Sequence, residues 1–267
     1  MRTIAGVVFA AAVVVAIAAC TPPAPALSDP REILGLAVGH LREAKAVHVD
    51  AAIDGTLMLG SIVPGLPLGA SSGGSGAGAL ALTGTHVEGD LDLVGERADL
   101  HLEVPALLGL TAEVREVGGD VYVTSSLTGS GWRRLDDASG SQLGSWRPMA
   151  WVGDLQDWLA RPAIVPIRLD DAACPAGTCY VVQVVVDGAD VLPSGALATG
   201  SLGLRVDRLT LDLRIDRATL RLSQVAVALD LGDAGKVDAT VGLSGWDAAV
   251  TIEAPPPGDV QAGPLLP

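Results

Sequence analysis

The sequence predicts an α+β protein whose body is a strongly curved antiparallel sheet. Three observations lead there. Apolar and polar residues alternate with a period of two over most of the 267-residue chain, the mark of strands with one covered and one wetted face. Clear helical spacing appears in two stretches of the domain, near 29–45 and 149–160. Within the longest strand runs the parity of the alternation slips near Gly84, near Val206 to Arg208 and near Ser223 to Val225, which predicts the bulges that bend a sheet. Composition agrees. Hydrophobic residues make up 49% of the chain, yet it has 1 Phe and 2 Tyr. The apolar content is Val, Leu and Ala, which suits long strands and suits an interior lined by smooth aliphatic surface equally well.

Taken in order, residues 1–19 read as a signal peptide. Arg2 supplies a positive start and Ile4 to Ala19 an uncharged apolar run, short of the roughly 20 residues that a membrane span needs. The run ends in Ile17-Ala18-Ala19-Cys20, small residues followed by a cysteine. That pattern predicts a bacterial lipoprotein signal, with a diacylglycerol on the Cys20 thiol and cleavage just before it. The alternative is a plain signal peptide with an incidental cysteine. Residues 20–28 then form a lipidated cysteine and a Pro-rich tether. They place a single domain, 29–254, outside the cytoplasm at the outer face of the cell membrane, and 255–267 reads as a loosely ordered Pro-rich tail.

Asp29 and Pro30 open the first helix, with Asp29 as cap, Pro30 in the first turn and Glu32 completing a box-like pattern. Ile33, Leu34, Ala37, Val38 and Leu41 form its apolar stripe, and it ends near Lys45. His48 to Leu57 reads as the first strand. The Gly-, Ser- and Pro-rich loop Gly60 to Gly78 follows, carrying Ile62, Val63, Leu66 and Leu68. It is either a loose hairpin tip or a lip that touches lipid or a partner. Leu80 to Leu93, Ala98 to Val104, Leu110 to Arg115, Val121 to Val123 and Gly131 to Leu135 read as further strands. The stripe Trp151, Leu155, Trp158 and Leu159 makes 149–160 helical. Tyr180 to Val186, Leu202 to Ile215, Ala218 to Leu231, Val237 to Leu243 and a final piece near Ala249 to Ile252 are again strands. The segment around Leu192, Pro193 and Leu197 reads as a helix or a lid.

The chain carries a formal net charge of −14. That argues against nucleic acid as a partner and against adhesion to an anionic bilayer without a lipid anchor. Cys174 and Cys179 flank the turn sequence Pro175-Ala176-Gly177-Thr178. In an oxidising compartment this reads as a local disulfide, the alternative being a metal pair that would need two more ligands. His86 and Glu88, and His101 and Glu103, share strand faces, and two such pairs on neighbouring strands offer a metal site. The neighbouring positions on those faces are polar, so decoration of a solvated face is the reading adopted, and neither metal nor cofactor is expected. No nucleophile elbow and no phosphate loop occur. The acidic pairs Asp136-Asp137 and Asp170-Asp171 sit in loops, so the chain is read as no enzyme. Trp132 and Trp246 are expected at sheet edges. Trp146, Trp151 and Trp158 crowd the middle helix, as core or as the lip of a pocket.

Ala46-Val47-His48-Val49-Asp50, Gly118-Gly119-Asp120-Val121-Tyr122-Val123, Gly131-Trp132 and Val241-Gly242-Leu243-Ser244-Gly245-Trp246-Asp247, followed by Val250, Ile252 and Pro255, together resemble the mycobacterial lipid-carrier lipoproteins of the LppX and LprG type, which have a LolA-like half-barrel. The resemblance implies a half-barrel with helices packed on its concave face and an apolar cavity between them that takes up acyl chains. Candidate lining from the helices is Leu34, Val38, Leu41, Trp151, Leu155 and Trp158. From the sheet it is Leu100, Leu102, Val114, Val121, Leu209, Leu211, Leu213 and Val227. The implied function is to carry or present an acylated lipid or lipoglycan, as a monomer tethered to the plasma membrane and aided by a transport partner in the envelope. The alternative is a surface lipoprotein with a filled core that acts through a protein partner. The Gly60 to Gly78 insertion and the Cys174/Cys179 pair depart from the family pattern.

Overall fold

A computed structural model describes residues 27–58, 78–126, 129–135, 148–175, 177–187 and 206–261. Helix α1 (Pro30–Glu43) forms as its caps dictate: the Asp29 carboxylate accepts the Arg31 N–H at 2.9 Å, Pro30 occupies the first turn, and the predicted stripe is buried. Strands β1 (Ala46–Met58), β2 (Ala79–Ala81), β3 (Thr85–Asp92), β4 (Arg97–Val104), β5 (Leu110–Val117), β6 (Asp120–Ser125) and β7 (Gly129–Leu135) follow. Helix α2 (Pro148–Leu159) precedes β8 (Pro166–Cys174), β9 (Gly177–Asp187), β10 (Arg208–Asp216), β11 (Leu222–Asp230), β12 (Gly235–Ser244) and the short β13 (Val260–Gln261).

All these strands share one open sheet in the order β13-β7-β6-β5-β4-β3-β1-β12-β11-β10-β9-β8, with β2 beside the outgoing end of β1. Pairing is antiparallel except between β13 and β7. The chain starts at the centre with β1 and meanders outward to β7. It crosses to the far edge at β8, then meanders back until β12 pairs with β1. The crossing segment carries α2.

Two parity slips are one-residue bulges. Ile53 faces Thr85 while Thr56 faces Ala81, so three steps on β1 oppose four on its neighbour. Arg214 faces Gln224 while Ile215 faces Leu222, which leaves Ser223 as the extra residue. The third slip coincides with the start of β10 at Arg208 rather than with a bulge. Gly55 and Gly89 show how tightly the central strands approach. Both have positive φ, and a Cβ on either would lie 2.2 Å from Lys236 O or 2.0 Å from Asp99 O, so side-chain-free backbone is required there.

Three local expectations change. Strand β8 went unread because Asp170-Asp171 interrupts its alternation and its outward Ile167 and Leu169 are exposed at the sheet edge, so no buried stripe shows in the sequence. Ala249 to Ile252 forms no strand, although Ile252 is buried. The Pro-rich end is not loose as far as Gln261: Val260 and Gln261 pair with Trp132 and Arg133 and cover the edge of β7. Residues 59–77 and 188–205, which hold the Gly-rich loop and the Leu192–Leu197 segment, lie outside the described residues, as do Cys20 and Trp146.

Cys174 and Cys179 form a disulfide between the end of β8 and the start of β9, with Cα atoms 5.7 Å apart. The closed loop is short, so the expected stabilisation is about 2 kcal/mol. Replacing both cysteines by Ser therefore lowers Tm by about 4–8 °C, measured by thermal melts with and without reductant.

Candidate functional site: an aliphatic trough

Directly opposed residues in antiparallel strands project from one face, so the register fixes the composition of each face. One row runs Ala112, Leu102, Val87, Ala51, Val241, Val225, Leu213, Val182 and Arg168 from β5 to β8. The next runs Thr85, Ile53, Ala239, Val227, Leu211, Val184 and Pro166. Apart from Thr85 and the edge residue Arg168, both rows are apolar.

The two helices pack on this face. Residues Ile33, Leu34, Ala37, Val38 and Leu41 of α1 join Trp158 and Leu159 of α2 against Val182, Val184, Leu209, Leu211, Leu213 and Ile215. The other end of α2 places Met149 and Val152 against Val47, Leu91, Ala98, Leu100, Val114 and Val121. Helix α2 thus straddles the two wings of the sheet. Polar contacts fix it at both ends. Arg42 pairs with Asp157 at 2.7 Å, and the Arg31 guanidinium donates to Ile164 O at 2.8 Å just beyond the helix. At its start the buried Glu116 carboxylate accepts the Met149 N–H at 3.0 Å, an anion placed where a helix N-terminus stabilises negative charge.

The face is not evenly covered. On the β9–β10 wing and on β4–β5 the inward residues are mostly buried. Between them Ile53, Val87, Val225, Val227, Ala239 and Val241 are only half-buried. They make up a half-exposed aliphatic band, here termed the trough, over β11, β12, β1 and β3. At its β3 end Thr85 is 5% exposed, and its Oγ1 has no hydrogen-bond partner. It is the one buried side-chain polar atom so left among the described residues, and such an atom costs about 1–3 kcal/mol.

The candidate lining residues fall into distinct places. Leu34, Val38, Leu41, Trp158, Leu209, Leu211 and Leu213 sit in the helix–sheet core, and Leu100, Val114 and Val121 in the second cluster. Leu102 and Val227 are half-buried on the trough rows, and Leu155 is half-buried against the core. Trp151 lies in α2, and its side chain is outside the described residues. Sequence reading missed Ile53, Val87, Val225, Ala239 and Val241 as floor, though alternation marked them as inward. It also passed over Glu116. The signal was available: the parity that turns Ala112 and Val114 inward turns Glu116 inward too, and a lone acid on an apolar face is conspicuous.

The opposite face is polar. His86 faces Glu103 and Glu88 faces His101 across β3 and β4. His86 Nε2 lies 3.7 Å from Glu88, His101 Nε2 lies 3.5 Å from Glu103, and His48 Nδ1 lies 2.9 Å from Asp90. Among the described residues no group of three or more His, Cys, Asp or Glu could hold a metal ion, and no helix is long and apolar enough to cross a membrane. Trp132 packs under Arg115 beside the sheet edge. Trp246, expected at an edge, instead lies two residues past the central strand β12 and touches both apolar clusters. The next residue, Asp247, accepts the Lys45 N–H at 2.8 Å and an Arg221 N–H. The backbone donor first and the guanidinium second hold its carboxyl below the usual carboxylate range.

No protein-family model matches the chain, and no curated protein matches it. Solved structures do. LprF from Mycobacterium bovis is 18% identical, over 85% of this chain and 96% of that one, with a TM-score of 0.50. The Mycobacterium tuberculosis lipoprotein LppX is 12% identical, over 84% of this chain and 98% of that one, with a TM-score of 0.50. At these identities the likeness is one of fold.

Proposed function

We propose, from the fold shared with LprF and the lipoprotein LppX, that this chain is a lipid-binding lipoprotein, anchored through Cys20 outside the cytoplasm and carrying or presenting an acylated lipid or lipoglycan. The helix-bearing face is read as the concave side of a half-barrel formed by residues 29–254. The observation that carries this reading is the trough: six aliphatic side chains left half-buried on the very face that the helices cover elsewhere. An ordinary core would fill that space. A lipid would fill it equally well, each buried methylene stabilising the complex by about 0.8 kcal/mol, so some ten methylenes outweigh substantial ordering costs. The aliphatic floor fits long, flexible and variable chains, and the work done is burial rather than catalysis. The protein acts as a monomer, with an envelope partner receiving the cargo.

Native mass spectrometry of the purified protein tests this reading. Co-purified lipid is the expected result. A clean apo mass, with no lipid taken up from added vesicles, would overturn it in favour of a filled-core protein that acts on a partner.

We place the polar part of the ligand at the hydroxyl of Thr85, which is sealed in the apo protein and would be uncovered on ligand entry, since an ester carbonyl or sugar hydroxyl there would satisfy it. Thr85→Val removes the unmet polar atom at almost constant shape. The apo protein should melt at an equal or higher temperature, and affinity for an ester-linked diacylglycerol should fall about tenfold. An ether-linked analogue, lacking the carbonyls, should bind both proteins alike in a fluorescent-lipid displacement assay.

A further inference from the structure

We infer that the β4–β5 turn, Pro105–Gly109, is a membrane-contacting tip that inserts Leu107 and Leu108 into the interface of a lipid bilayer at one end of the trough. This rests on the lipid-binding reading and adds the surface from which cargo would be taken.

Leu108 is 99% exposed, and its φ is +57°. A leucine gains nothing in either respect. The left-handed region suits Gly, Asn or Asp far better, and a fully exposed side chain packs against nothing. Neither conformation nor packing accounts for it. The turn is well formed, with Leu107 N–H donating to Val104 O, Gly109 N–H to Pro105 O and Leu110 N–H to Leu107 O, each at 3.1 Å. The leucine is therefore held outward by an ordered scaffold. Every residue from Pro105 to Gly109 is exposed, and none is polar.

The surroundings point to a bilayer rather than to a protein partner or water. β1 and β4 run in the same direction, each being antiparallel to β3, so the turn shares its end of the sheet with Met58, itself 43% exposed. No Asp, Glu, Lys or Arg lies between Asp54 and Glu88. Among the described residues on this side of the rim, Met58, Ala79 to Thr85 and Pro105 to Gly109 carry no charge, Glu103 being the nearest acid, in a chain of net charge −14. Charge on the same end gathers on the other wing, with Arg208 paired to Asp187 at the β9–β10 end and Lys236 to Asp230 at the β11–β12 turn. The opposite end is studded with it: Asp92, Glu96 and Arg97 at the β3–β4 turn, Asp120 at β5–β6, and Asp216, Arg217 and Arg221 at β10–β11. An exposed aliphatic turn that carries no polar side chain of its own matches the hydrocarbon boundary of a membrane. The tip also adjoins the trough. A Cβ on Gly84 would lie 3.5 Å from Pro105 Cγ, and Thr85, with its unmet hydroxyl, is the next residue.

The test uses the full-length chain carrying Cys20→Ser, in which Cys174 and Cys179 are already paired, so an added cysteine is the single free thiol. Leu108→Cys and, as the control at the opposite end, the 74% exposed Val94→Cys each receive an environment-sensitive fluorophore. They are mixed with phosphatidylcholine vesicles whose acyl chains bear bromine. The label at 108 should shift to shorter wavelength and lose at least half its emission to quenching, with little dependence on salt, while the label at 94 stays water-like. Equal responses at the two positions would overturn the inference. A second variant, Leu107→Asp with Leu108→Asp, should leave Tm unchanged, since Asp tolerates the left-handed backbone, yet slow lipid uptake from vesicles at least tenfold. Uptake at the original rate would equally overturn it. Co-purified lipid is measured on the same preparations, so a failure of the tip is told apart from a failure of lipid binding.

Discussion

Ala239→Phe removes bound lipid and leaves the fold intact. Ala239 lies on the trough floor between Ile53 and Val227, all three half-buried. Its side chain is the smallest of the six, so a phenyl ring there projects into the space assigned to the ligand. Displacing about four methylenes at about 0.8 kcal/mol each costs about 3 kcal/mol of binding, roughly two hundredfold in affinity. Native mass spectrometry then shows the protein without ligand, and its thermal transition stays where it was. The same substitution decides against the proposal if the trough is solid. A ring forced into a filled core destabilises by about 1–3 kcal/mol, so a lowered Tm together with unchanged lipid content would mean that no ligand space exists on this face.

The largest stability effect is expected at Trp158. It is 1% exposed and belongs to the cluster that joins α2 to α1 and to the β9–β10 wing. Truncating a buried aromatic of this size costs about 3–5 kcal/mol, which for a chain of this length lowers Tm by about 6–20 °C. The loss goes beyond a cavity. α2 is the crossing element between the wings and is held at its start by Glu116, so its C-terminal half depends on Trp158 and Leu159 for its seat. Trp158→Ala should also weaken the near-ultraviolet circular dichroism signal while far-ultraviolet strand content persists. A melt within 2 °C of the parent protein would show that α2 is not bound to the core as described.

Much of this architecture was readable in the chain because a strand writes its burial into a period of two. The α1 stripe from Ile33 to Leu41, the bulge before Thr85 and the one at Ser223 were all visible as periodicity or as a break in it. Strand β8 was not, because an edge strand has no continuous buried stripe and its pattern dissolves around Asp170-Asp171. The pairing of Val260 and Gln261 with β7 was not legible either. Two residues carry no period, and the contact joins segments that are remote in sequence.

The sequence by itself determined the class of fold, the two helices, the bends and the aliphatic character of one sheet face, since each follows from local spacing and residue type. Only the tertiary structure decided which aliphatic residues are core and which are floor. Leu211 and Val227 stand opposite each other with the same parity and similar side chains, yet one is sealed in the helix–sheet core and the other is half-open. The difference lies in where α1 and α2 come to rest, and that is set by contacts such as Glu116 with Met149 and Trp158 with the β9–β10 wing, between residues that no local pattern links.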